Sequence, residues 1–116
     1  MSYSSSIPEI DVRELAIRLA EGADSLQLID VRERSEFAIA QIPGFDLYPL
    51  SEFDLWSEKI FIDLEAEAET IVICHHGMRS AQLCHWLSMR GFSKVQNVMG
   101  GIDAYSRFVD NRVNRY

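Results

Sequence analysis

The stretch Thr70-Ile71-Val72-Ile73-Cys74-His75-His76-Gly77-Met78-Arg79-Ser80, TIVICHHGMRS, decides how the chain is read. Its first four residues are β-branched and largely apolar, the composition of a strand covered on both faces. Ala81-Gln82-Leu83-Cys84-His85-Trp86-Leu87 then carries a helix-like pattern. A buried strand that passes through a short loop straight into a helix is one half of a parallel crossover. The loop between them places a cysteine, two histidines, a glycine and an arginine where such sheets usually hold their ligands, beyond the carboxyl end of a central strand.

Elements of the same alternating kind lie on either side. Ile7-Pro8-Glu9-Ile10 reads as a short edge strand. Asp11 with Glu14 gives a capping-box-like start to a helix with apolar Val12, Leu15, Ala16 and Leu19, and Gly22 is its stop. Leu26 to Val31 predicts a central strand, Arg34 to Ala40 a short helix, Ile42-Pro43-Gly44 a turn, and Phe45 to Tyr48 a brief strand. Ser51 is a candidate cap for a helix bearing Phe53, Trp56, Ile60 and Phe61. After the opening stretch come a helix from Ser80 to Arg90 ended by Gly91, a strand from Val95 to Val98, a turn at Gly100-Gly101, and a helix from Ile102 to Phe108. Strands alternating with helices predict an α/β fold with a mostly parallel sheet and helices on both faces.

A chain of 116 residues suits one domain over residues 1–116, with residues 1–6 a flexible extension. The net charge of −7 argues against nucleic acid or an anionic membrane as partner. Between Asp46 and Glu69 the carboxylates are offset by Lys59 alone, which reads as a solvated face rather than a site for a basic partner. The N-terminal residues lack the basic and apolar blocks of a secretory signal, and a cytoplasmic location is expected. Two cysteines do not make a disulfide framework, so cysteine chemistry here is catalytic or redox.

Within the loop, Cys74 stands against unpaired amides and the positive end of a helix dipole, which favour a thiolate or an anion attached to it. Such surroundings bring a thiol from about 8.5 into a range of roughly 3.5 to 7.5. Gly77 lets successive amides, including that of Met78, line a concave cradle, and Arg79 adds a planar fork suited to oxyanions.

These residues resemble the active loop of the rhodanese-like sulfurtransferases: Cys74 ending a strand, a central Gly77, then Arg79-Ser80 opening a helix. The likeness continues in Leu28-Ile29-Asp30-Val31-Arg32 with Glu36-Phe37, in Ile42-Pro43-Gly44, and in Gly91-Phe92 with Gly100-Gly101, all in the family's order. The resemblance implies a central five-stranded, mostly parallel sheet flanked by helices. It also implies transfer of a sulfane sulfur through a Cys74 persulfide, from an anionic donor such as thiosulfate to cyanide, a thiol or a protein acceptor, with no cofactor. Phosphatases of the same fold have five residues between cysteine and arginine; here four intervene, which favours sulfur over phosphoryl. The rival reading is a binding module without turnover that uses the acidic face or Phe45, Phe53 and Trp56.

Among the other candidates, His75 and His76 line the mouth and attract an anionic donor. No ligand-spacing pattern accompanies them, so no metal is expected. Arg79 either contacts substrate or pairs with a carboxylate such as Asp30 or Glu36. Asp30, Arg32 and Ser80 are expected to support the site from behind, and Cys84 to pack in the core.

Overall fold

A computed structural model describes residues 7–116. The expected extension over residues 1–6 lies outside the described residues. The elements are β1 (Glu9–Ile10), α1 (Val12–Glu21), β2 (Leu26–Asp30), α2 (Arg34–Ile39), β3 (Asp46–Leu47), a 3₁₀ turn (Leu50–Glu52), α3 (Phe53–Trp56), α4 (Ile60–Asp63), β4 (Glu69–Ile73), α5 (Met78–Ser88), β5 (Val95–Val98) and α6 (Gly101–Phe108). The sheet runs β1-β5-β4-β2-β3, and each of its strand pairings is parallel.

Alternation along the strands builds two cores. Ile29, Val31, Val72 and Cys74 face one side, where they meet Trp56 of α3, Ile60 of α4, and Leu83, Cys84 and Leu87 of α5. Leu28, Ile71 and Ile73 face the other side with Val12 and Leu15 of α1 and Ile102 and Tyr105 of α6. The register pairs Leu28 with Ile71 and Ile29 with Val72, so matched faces stay matched across the sheet. Helices therefore cover both faces, and β4, whose end carries Cys74, is the middle strand of five.

Several local readings hold. Asp11 accepts the amide of Glu14 at 2.9 Å and caps α1, and the Gly22 amide closes that helix on the carbonyl of Leu19. Cys84 is fully buried, and burial pushes its thiol up to about 12. Others are corrected. The helix expected after Ser51 is two separate single turns, α3 and α4, preceded by the 3₁₀ turn. Ser51 does not cap it, because its hydroxyl is hydrogen-bonded to Glu33 Oε1; Glu52 stands at the cap and makes no capping bond with its side chain. The helix after the loop begins at Met78, two residues before the expected Ser80.

The aromatics offered for partner binding are largely core. Phe45 and Trp56 are buried, the Trp56 indole donates to Pro49 O at 2.7 Å, and Phe53 packs edge-on against Trp56 and Trp86. In the acidic stretch, Glu52 pairs with Arg34 and Glu69 with Arg18, while Asp63 accepts the Tyr48 hydroxyl. No helix among the described residues is long and apolar enough to cross a membrane.

Candidate active site

Cys74 follows the last residue of β4, and only 1% of its surface is exposed. The next turn folds back on it. The Gly77 amide donates to Cys74 Sγ at 3.0 Å, and Ser80 Oγ lies 3.2 Å from the same sulfur. The fold-back needs a left-handed residue, and Gly77 supplies it with φ of 107°. A Cβ there would lie 3.4 Å from Val98 O, at the edge of ordinary van der Waals contact, so it is the backbone conformation that calls for glycine. The first amides of α5 lack acceptors within their own helix, so the loop presents donors to an anion at this end.

The opposite edge of the loop is docked on α6. Ile102 N donates to Cys74 O at 2.9 Å and Asp103 N to His75 O at 3.1 Å. Gly101 makes the approach possible, because a Cβ at that position would lie 2.3 Å from His75 O. The glycine pair read from sequence as a turn is thus also the seat on which the cysteine loop rests.

Asn97, at the end of β5, completes the frame. Its Nδ2 donates to Gly77 O at 2.9 Å, and its Oδ1 accepts from Ser80 Oγ at 2.5 Å. A hydroxyl has one proton, and the shorter contact assigns it to Asn97, which leaves Ser80 Oγ an acceptor for a Cys74 S–H. Ser80 therefore stands against the sulfur itself rather than merely behind the site. Asn97 escapes sequence reading; its only signal is a polar residue in an otherwise strand-like Val95-Gln96-Asn97-Val98.

Arg79 braces. Its guanidinium grips Glu36 through two bonds of 2.7 and 2.9 Å. Glu36 also accepts the Glu33 amide at 2.9 Å and the Tyr116 hydroxyl at 3.0 Å. The Arg79 bond, with help from these donors and against the effect of burial, holds the Glu36 carboxyl down at about 2. The same pair raises Arg79 well above its ordinary value. Asp30 and Arg32 form a buried fork at the end of β2, 2.7 Å at its shortest, and Arg32 also donates to Ala40 O at 2.6 Å and to Tyr116 Oη at 2.9 Å. Burial opposes the charge on Arg32, and these bonds more than offset it. The fork ties β2 to the residues around α2, as a support.

The histidines form a wall with Tyr116. His75 stacks on His76 at 4.0 Å and on Tyr116 at 4.0 Å with the latter rings 9° from parallel. Burial, reinforced by His76, lowers the pKa of His75. That weakens its expected part in attracting an anionic donor by charge. Met78 turns its side chain to solvent, 79% exposed, and offers the loop its backbone alone.

A parallel sheet whose middle strand is followed by a cysteine, wrapped by a loop that opens a helix, defines the class: an α/β domain with a cysteine loop at the carboxyl edge of its sheet. The family model of the Rhodanese-like domain matches residues 11–108, and the chain belongs to that family. It is 41% identical over its whole length to the Rhodanese-like/PpiC domain-containing protein 12, chloroplastic, of Arabidopsis thaliana, of which it spans 40%. It is 33% identical to a protein named Sulfurtransferase from Allochromatium vinosum, with 87% of this chain and 90% of that one aligned. Among solved structures, a rhodanese-like domain protein from Staphylococcus aureus superposes with a TM-score of 0.74 at 27% identity, over 85% of this chain and 91% of the other.

Proposed function

We propose that the protein is a sulfurtransferase that carries a sulfane sulfur on Cys74. The observation that bears the most weight is the donation of the Gly77 amide to Cys74 Sγ at 3.0 Å, at the end of the middle strand. In the first half-reaction the Cys74 thiolate attacks the outer sulfur of a donor such as thiosulfate. A new S–S bond forms, the old one breaks, and sulfite leaves with the bonding electron pair. The negative charge remains on the protein as Cys74-S-S⁻, next to the amides at the start of α5. In the second half-reaction cyanide or a thiolate attacks the terminal sulfur and restores the Cys74 thiolate. Two half-reactions through one covalent intermediate give ping-pong kinetics.

Cys74, the backbone of His75, His76, Gly77, Met78 and Arg79, and Ser80 form the reacting shell, while Asp30, Arg32, Glu36 and Asn97 hold it in place. With so little of Cys74 exposed, donor entry requires a local opening of the loop. Both cysteines are free thiols, which suits a reducing compartment such as the cytoplasm, and the acceptor is a small thiophile or the thiol of a protein. The test is mass spectrometry after incubation with thiosulfate or a persulfide donor. One added sulfur on the peptide containing Cys74 is expected, lost on treatment with cyanide and absent from Cys74→Ser. An unmodified Cys74 with every donor would sink the proposal.

A further inference from the structure

We infer that His75, His76 and Asp103 form a site for a divalent cation of borderline softness, with zinc the best match, at the rim of the cysteine loop. One ligand atom from each of the three lies within 4.8 Å of the others. Ligands in a tetrahedral zinc site sit roughly 3.4 Å apart at bond lengths of about 2.1 Å, so small side-chain rotations close the set. Two imidazoles and a carboxylate are the donors of an open zinc site, which leaves a position for water or another ligand. The sequence expectation of no metal considers neighbours of the histidine pair along the chain. The third ligand comes instead from α6, 27 positions beyond His76 by subtraction of the residue numbers (103 − 76).

Two observations fix His75 and the backbone of Asp103 relative to one another. The Asp103 amide donates to His75 O at 3.1 Å, so the backbone of the carboxylate residue is fastened to that of the first histidine. The His75 ring is clamped between His76 and Tyr116, and its buried Nε2 has no hydrogen-bond partner. Asp103 Oδ2 lies 4.0 Å from His76 Nε2, with Arg107 at 3.9 Å and Arg115 at 3.5 Å from the same carboxylate. Those arginine distances exceed the 2.7–2.9 Å or so of a charge-assisted bond, and Arg115 is the exposed group that an arriving cation displaces. This site goes beyond sulfur transfer and does not depend on it.

The experiment titrates zinc into the full chain carrying Cys74→Ser, which removes the nearby thiol, against a chromogenic zinc chelator. One ion per chain is expected, with affinity falling about tenfold or more in Asp103→Asn and in His76→Ala. The remaining histidine serves as control: His85→Ala leaves binding unchanged. Circular dichroism establishes that each variant is folded, and His76, with a side chain 64% exposed, tolerates truncation even where Asp103→Asn does not. No saturable binding at millimolar zinc overturns the inference. So does binding that survives both ligand substitutions, or binding lost equally on His85→Ala.

Discussion

Glu36 does three jobs with one carboxylate: it accepts the amide of Glu33, the cap residue of its own helix, receives Tyr116, and anchors Arg79. Its pKa of about 2 in the folded chain lies below the ordinary 4.5. A depressed carboxyl contributes stability that is present above its unfolded pKa and is lost as pH falls through the folded one. The stability gap between the natural chain and Glu36→Gln is therefore expected to stay constant above about pH 4.5 and to close towards pH 2. Urea unfolding across that range measures it, and a gap that widens on acidification would contradict the assignment. Arg79 keeps at most one of its two bonds to this side chain in the variant.

At the scale of elements, the decisive contact is between the cysteine loop and the start of α6. Gly101→Ala places a methyl 2.3 Å from His75 O and 2.5 Å from Cys74 O, so the loop and the helix must separate. Gly91→Ala is the matched control, since its φ of 95° is similarly unsuited to alanine but nothing lies within 4 Å of the added carbon. Both variants bear backbone strain of about 1 kcal/mol. Gly101→Ala is expected to lose clearly more stability in denaturant unfolding, and to lose thiosulfate-dependent labelling of Cys74 as well. Equal losses in the two variants would show that the seat on α6 contributes nothing beyond glycine conformation.

For the whole molecule, the sheet separates two cores that share no residue. Leu15 lies in one and Leu87 in the other, both with no exposed surface. Truncation of either to alanine is expected to cost about 2–5 kcal/mol, and the two costs to add within about 0.5 kcal/mol, as for distant sites. Together they remove about 4–10 kcal/mol, a large share of a domain stability of about 5–15 kcal/mol. Thermal or urea unfolding of both single variants and the pair supplies the comparison.

The order of strands and helices, and Cys74 at the end of the middle strand, were legible in the sequence because periodicity and punctuation are local signals. That Ser51 does not cap α3 was not, since it is held by Glu33, 18 residues earlier. Nor were the contacts of Asn97, Asp103 and Tyr116 with the loop. Each depends on which strand lies beside which, and that order, β1-β5-β4-β2-β3, does not follow the chain.

The seat of the loop on α6 also sets a polarity. The described peptide links are trans, so each N–H points opposite to its carbonyl. With the carbonyls of Cys74 and His75 turned to α6, the N–H groups of His75 and His76 are turned the other way. Successive dipoles are thus aligned in one sense while the chain folds, and they cannot flip without tearing the loop from the helix. An anion on that side of the loop would meet dipoles that are already oriented.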